Sequence, residues 1–151
     1  MNAKPKPFWQ RKKLAEMTAA EWESLCSGCG RCCLHKVEYE ETGELFFTNV
    51  ACRLLDAHVC RCRDYRQRRR LVPICTRLTP ANLGQLRWLP RTCAYRRLHE
   101  GKPLQRWHHL VCGDREAVHR AGVSVRGKTI PEHLVRTPHD LPEHIIHWIR
   151  L

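Results

Sequence analysis

Four cysteines fall within eight residues, in the run Cys26-Ser27-Gly28-Cys29-Gly30-Arg31-Cys32-Cys33. Two-residue gaps let a turn present successive thiolates to one metal, as in zinc ribbons and ferredoxins. Buried free thiols acting as small apolar groups are the bland alternative, and four in eight positions argues against it. The adjacent Cys32 and Cys33 are unusual, because neighbouring side chains of an extended chain point to opposite sides. One can face a metal site while its neighbour faces a second site or packs as a thiol. Six more follow: Cys52, Cys60, Cys62, Cys75, Cys93 and Cys112. Their spacings match no common zinc-finger pattern. Long gaps still suit a centre that closes several loops at once, since closure cost grows slowly with length. All-thiolate sites suit zinc or iron–sulfur clusters. The compact run is closer to ferredoxin ligation, whereas the adjacent Cys33 stands where ferredoxins have a spacer. The spacing narrowly favours iron–sulfur. His35, His58, His99, His108 and His109 are available nitrogen ligands, each more ordinarily a surface or capping residue.

Ten cysteines could instead form disulfides, and the compartment decides between the two uses. The N-terminus has no apolar run of the kind a secretory signal needs. No stretch approaches the ~18 apolar residues of a membrane span. The expectation is a cytoplasmic protein, with metal or redox use of its thiols. An exported disulfide protein is the alternative.

The elements that must position these thiols are short. Aromatic residues make up 7% of the chain and charged residues 28%, while nine Pro and eight Gly interrupt it throughout. The fold expectation is a small α+β domain, helix-dominated and loop-rich, with one β-hairpin and a cysteine-ligated metal centre as its staple. Residues 1–17 read as a basic, poorly ordered arm, and 18–151 as a single cysteine-rich domain. Thr18-Ala19-Ala20-Glu21 has the form of a capping box, so a short helix should deliver the chain to Cys26. Gly28 and Gly30 permit the turns that follow. Residues 37–48 read as a hairpin around Glu41-Thr42-Gly43. Helices are expected over 79–89, with Thr79 as cap and Pro80 in the first turn, over 92–98, and around 115–121. Pro142 to Ile149 should form an amphipathic turn or two with Ile145, Ile146 and Ile149 on one side.

The formal net charge is +12, which invites a nucleic-acid reading. Four thiolates on one divalent ion would lower that sum by two. Arg61, Arg63, Arg66, Arg68, Arg69 and Arg70 form the strongest basic run and would neutralise phosphates. The same arginines could instead offset a thiolate cluster. A metal-dependent enzyme is a third reading, with His108, His109, Asp64 and Asp114 as acid–base candidates. No phosphate loop, dinucleotide fingerprint or nucleophile elbow occurs, so no reaction is named.

The run over 26–33, with Gly30-Arg31 before Cys32, resembles the signature of the YkgJ-like family of CxxCxxCC domains, regarded as chelating zinc or iron. Thr48-Asn49-Val50-Ala51-Cys52-Arg53-Leu54-Leu55-Asp56, Cys60-Arg61-Cys62-Arg63-Asp64-Tyr65 and Val72-Pro73-Ile74-Cys75 resemble its YcgN-type branch. So do Leu89-Pro90-Arg91-Thr92-Cys93-Ala94-Tyr95-Arg96, Trp107-His108-His109-Leu110-Val111-Cys112-Gly113-Asp114 and Ala121-Gly122-Val123-Ser124-Val125-Arg126-Gly127. The resemblance covers roughly residues 8–130. It implies a bacterial cytoplasmic protein of uncharacterised role, and a related domain in the flagellin lysine methylase resembles an iron–sulfur module. It also implies the metal ligands Cys26, Cys29, Cys32, Cys33, Cys52, Cys62, Cys75 and Cys93, with Cys60 and His108 in a second tier. Ile74 stands where the family pattern has Asp, His109 where it has Pro, and Cys112 where it has Ser. Cys112 therefore reads as a spare thiol. The functional expectation is a metal-binding protein acting in redox or metal sensing, or as an accessory factor to a protein partner, with no membrane association.

Overall fold

A computed structural model describes residues 4–151. Two apolar clusters organise the chain. One gathers Leu25, Leu83, Leu89 and Tyr95; the other gathers Leu34, Phe47, Ala51, Leu55, Val125 and Ile149. Regular elements are too short to stand alone, so each is held by what it buries in one cluster or the other.

The N-terminal segment departs from the expectation of a disordered arm. Helix α1 (Phe8–Arg11) and a 3-10 turn (Leu14–Glu16) lay Phe8, Trp9, Leu14 and Met17 against the first cluster. The basic residues hide this apolar spacing in the sequence. The first three residues of that expected arm lie outside the described residues. Helix α2 (Ala19–Ser24) begins as expected: the Glu21 amide donates to Thr18 Oγ1 at 3.1 Å, and the Thr18 amide to the Glu21 carboxylate at 2.9 Å. Glu21 also receives Lys12 Nζ at 2.7 Å, which ties the N-terminal segment to α2. The helix ends by burying Leu25 completely.

Two glycines then turn the chain through the cysteine run. Gly28 and Gly30 have φ of +79° and +74°, in the left-handed region that L side chains avoid. A short 3-10 turn, Arg31–Cys33, leads into β1 (Leu34–Glu38). Strand β1 pairs antiparallel with β2 (Leu45–Ala51), and Val37 faces Phe46 across the ladder. This is the expected hairpin, with β2 extended to Ala51. Strands β3 (Leu55–Asp56) and β4 (Arg61–Cys62) form a second small antiparallel ribbon. Helix α3 (Arg68–Leu71) closes the arginine-rich run.

The helix expected over 79–89 is replaced by loop and a 3-10 turn, Leu83–Gln85. Thr79 and Asn82 spend their side chains on each other's amides, at 2.9 and 3.2 Å, and Asn82 also donates to the Arg77 carbonyl at 2.8 Å. These local bonds offer the backbone a turn in place of a helix. Helix α4 (Ala94–His99) matches expectation, and α5 (His109–Cys112) precedes α6 (Ala117–Arg120). Strand β5 (Ile130–Pro131) adds to β2 in parallel, giving the order β1-β2-β5. The C-terminal segment differs from an amphipathic helix. A 3-10 helix, Pro138–His144, leads to an extended strap in which the Ile146 amide donates to the Phe47 carbonyl at 2.9 Å. Ile146 and Ile149 still reach the second cluster. The α+β class stands. Helical elements outnumber strands as expected, although no α-helix among the described residues exceeds six residues. None is long and apolar enough to cross a membrane.

His108 joins distant parts of this fold. Its ring is fully buried, Nε2 donates to the Leu25 carbonyl at 2.8 Å, and Nδ1 accepts from the Leu110 amide at 3.1 Å.

A Cβ added at Gly30 would stand 2.8 Å from Val125 Cγ2 and 3.1 Å from Cys60 Cβ, whereas one at Gly122 (φ +73°) would meet nothing. Gly122→Ala should cost about 1 kcal/mol, the left-handed penalty alone, and Gly30→Ala should cost more than about 2 kcal/mol. Denaturant unfolding of the two variants checks the difference. Equal costs would show that the Val125 contact yields. Burial holds the His108 pKa below that of a free imidazole, and His109 and His119 shift the same way for the same leading cause. The unfolded imidazoles titrate near about 6.5, so acid protonates the unfolded chain first. Stability should be level between about pH 7 and 8 and fall as pH drops below about 6.5. His108→Gln should cost about 2–3 kcal/mol and reduce that slope; a slope unchanged in the variant would assign it elsewhere.

Candidate metal centre

The glycine turns carry the chain from Cys26 through Cys29 to Cys32 and Cys33, and backbone hydrogen bonds bring later segments beside that run. The Cys52 amide donates to the Cys33 carbonyl at 2.8 Å, so the end of β2 is fastened to the cysteine turn. Val125 fastens the other side, its amide donating to the Cys29 carbonyl at 2.9 Å. Cys62 lies on β4, Cys75 follows α3, and Cys93 is the N-cap of α4.

The thiols fall into two neighbourhoods that meet at Cys32–Cys33. Burial, and then the thiols of Cys32 and Cys26, push Cys29 up to about 12. Burial does the same to Cys93, up to about 12, with Cys29, Cys32 and Cys26 as its charged neighbours. Burial and then Cys32 raise Cys26. In the second neighbourhood burial raises Cys52, which also feels Glu132, Cys62 and Cys75. Cys75 is raised by burial and then by Cys32 and Cys62, against the pull of Arg68. Cys32 is raised well above an ordinary thiol, first by its hydrogen bond with Cys33 and then by burial. Cys26 and Cys32 nevertheless keep exposed surface. They are therefore open to solvent on one side.

Backbone amides act on the sulfurs as donors. Gly28 donates to Cys26, Arg31 to Cys29, Leu54 to Cys52 and Arg96 to Cys93, and each lowers the pKa of its thiol. Three of the four run from residue i+2 to the sulfur of residue i. Donors aimed at sulfur favour the thiolate, the form that binds metal. The donor set thus fits a soft cation or an iron–sulfur cluster. As free thiols the sulfurs are neighbours rather than a closed shell. Among the described residues no three His, Cys, Asp or Glu side chains are grouped to hold one ion as they stand. Deprotonation and rotation about χ1 would have to close such a shell.

Two cations belong to this centre that residue spacing alone does not single out. Arg31 is 6% exposed, donates to the Val123 carbonyl at 2.8 Å and Thr92 Oγ1 at 3.1 Å, stacks over Trp148, and lies beside Cys29. Lys36 donates to the Leu34 carbonyl at 2.8 Å and the Cys32 carbonyl at 3.2 Å, beneath Trp88 and Phe47. Its ammonium acts on Cys32, Cys33, Cys75 and Cys52 together. Arg31 sits inside the cysteine run, a signal that could have found it; nothing in the sequence marks Lys36.

Other candidates lie differently. Cys60 is 3% exposed within the second apolar cluster, and at φ 61° it is the one non-glycine with positive φ among the described residues. It neighbours Cys29 but packs as a core residue, with its thiol against the Ala57 carbonyl at 3.7 Å. Cys112 is exposed, its thiol turned to the Trp107 and Asp114 carbonyls. Both His108 nitrogens are engaged by backbone, which leaves neither for a metal. His109 Nε2 holds the Ser24 and Cys26 carbonyls, at 2.8 and 3.2 Å. Asp64 accepts from the Gln67 amide, and Asp114 is bound by Arg120 and the Glu116 amide. The acid–base candidates thus serve as local braces. The arginine run disperses: Arg61 reaches a pocket beside Cys26, and Arg68 turns to the Tyr65 ring and Cys75. Arg63 lies by Asp56, and Arg66, Arg69 and Arg70 stay exposed.

The family model described as "CxxCxxCC: Putative zinc- or iron-chelating domain" matches residues 25–94. That span holds the eight gathered thiols together with Cys60, and it leaves Cys112 outside. A UPF0260 protein of Rhizorhabdus wittichii is 66% identical over 127 residues, covering 84% of this chain and 87% of the relative. A UPF0260 protein of Azotobacter vinelandii is 56% identical over 146 residues, 97% of each chain. One of Caulobacter vibrioides is 59% identical over 127 residues, 84% of this chain and 78% of the relative. No solved structure matches the chain. At this identity and coverage, with the cysteine turn inside the matched domain, the chain belongs to the UPF0260 family.

Proposed function

We propose that this protein holds an iron–sulfur cluster on the thiolates of Cys26, Cys29, Cys32, Cys33, Cys52, Cys62, Cys75 and Cys93, and acts in the cytoplasm as a redox- or metal-sensing accessory protein of the YcgN-type branch. The observation that carries this reading is the gathering of eight thiols from five chain segments around the Cys32–Cys33 pair. Nitrogen ligands are scarce there, since His108 and His109 are tied to backbone carbonyls. Glu132, the carboxylate that acts on Cys52, is held by His35 at 2.7 Å. All-sulfur donor sets suit zinc and iron–sulfur alike. The compact C-x2-C-x2-C run, closer to ferredoxin ligation, favours the cluster.

A bound cluster would supply one-electron redox chemistry. The chain's own residues prepare for it. Arg31 and Lys36 offset thiolate charge from within the fold, where their attraction is weakly screened. The amides of Gly28, Arg31, Leu54 and Arg96 steady the sulfurs. Phe47 and Trp88 cover Lys36 on the inner side, while exposed Cys26 and Cys32 leave the outer side open to exchange with solvent or a partner.

Protein purified without oxygen should be brown and carry iron and acid-labile sulfide. Colourless protein with zinc alone would overturn the cluster assignment. A chelator that strips the metal should lower the melting temperature sharply and lose circular dichroism; full retention of both would remove the stapling role. Cys33→Ser and Cys93→Ser should lose metal, whereas Cys112→Ser should keep it. Cys60→Ser should keep metal at a stability cost of about 1–3 kcal/mol, from a hydroxyl placed in an apolar cluster.

A further inference from the structure

Beside Cys26, on the solvent-open face, lies a pocket of about 340 Å³. Its lining includes the Ser27–Gly28 turn, Arg61 from β4, Arg115 just before α6, and the Arg126–Glu116 pair. Arginines from three chain segments therefore line one volume. Arg126 is already committed: it donates to Glu116 at 2.9 Å and to the His58 carbonyl. Arg61 and Arg115 have no carboxylate partner among the described residues. Arg61 stands close enough to disfavour the charge on Arg115, which is lowered first by burial and then by Arg61.

Like charges converging without a counter-charge are costly unless something anionic sits between them. The Cys26 sulfur, near both arginines, is one candidate. Cys26 is not among the residues that line the pocket, however, and a single thiolate leaves that volume unaccounted for. Three guanidinium charges against the Glu116 carboxylate leave two positive charges on the pocket. That equals the charge of a phosphate dianion, whose oxygens suit the planar forks of arginine. Gly28 adds access: where its Cβ would stand there is open space, so the backbone can approach a ligand closely. The volume exceeds that of a bare oxyanion and reaches the lower end of small-molecule sites.

We propose that the pocket bounded by the Ser27–Gly28 turn, Arg61, Arg115 and Arg126 is a phosphate-binding site beside the cysteine cluster. It takes inorganic phosphate or the phosphate group of a small monoester. The site is distinct from the thiol centre and does not depend on which metal the thiols hold.

Calorimetric titration of the full chain, as purified with its metal, tests this with inorganic phosphate and, in a parallel arm, glycerol 3-phosphate. Both should bind, the ester more tightly if the pocket's extra volume receives its carbon portion. Arg61→Gln and Arg115→Gln should each weaken phosphate binding about tenfold or more. Arg115→Lys should weaken it less. Arg69→Gln, an exposed arginine outside the pocket, should leave it unchanged. Metal content and melting temperature of each variant confirm that the fold and thiol centre persist. Failure of the wild-type protein to bind either ligand would overturn the proposal. So would an Arg69→Gln loss equal to that of Arg115→Gln, which would mark the binding as general attraction to a basic surface. Loss of metal in the arginine variants with phosphate affinity retained would also overturn it, assigning those arginines to the thiols alone.

Discussion

The crowding of sulfur around Cys32 and Cys33 constrains everything near it. Cys32 neighbours Cys26, Cys29 and Cys93 on one side and Cys75 on the other, and a hydrogen bond couples it to Cys33. Each sulfur makes ionisation of the next one harder, and burial adds to the penalty. The fold must therefore bring cations and amide donors to the same place. Arg31, Lys36 and Arg68 and the four donating amides meet that requirement.

This constraint explains the shape of the core. A single large cluster would leave no room for so many polarisable, partly charged groups at the centre. The chain instead builds two modest clusters, one under α2 and α4 and one under the β1–β2 hairpin. The cysteine turn runs between them: Leu25 ends in the first, and Leu34 begins the second. Backbone hydrogen bonds from Cys52 and Val125 fasten the second cluster to that turn. His108 and Tyr95 fasten the first, through the Leu25 carbonyl and the Trp22 carbonyl. Such a fold has little apolar burial to spare, and a bound metal would add stability where the clusters are thinnest.

The large positive charge of the chain is spent in particular places. Arg31 and Lys36 are turned inward, Arg96 pairs with Glu100 and Arg120 with Asp114, and Arg61 and Arg115 converge at the pocket beside Cys26. Within the arginine run, Arg61 lines that pocket and Arg68 turns to Tyr65, while Arg63, Arg66, Arg69 and Arg70 stay at the surface. Residues two apart can point to opposite sides of a turn or ribbon and meet entirely different neighbours.

Much of this architecture is legible in the order of the residues. The capping box at Thr18–Glu21, the hairpin, the helix after Cys93 and the glycine turns all follow from local chemistry, which neighbouring residues fix among themselves. The thiol run and its likeness to CxxCxxCC domains follow from residue type and spacing alone. What the residue order could not supply was long-range. Thr79 and Asn82 each accept from the other's amide and close a turn where each residue's preference allows a helix. The apolar residues of 8–17 gain meaning only where the first cluster receives them. Residue types and spacing determined that this is a cysteine-centred domain. Only tertiary structure decided which thiols are neighbours, that Cys60 packs in the core, and that Lys36 lies among four sulfurs, because proximity between distant segments depends on which surfaces bury one another.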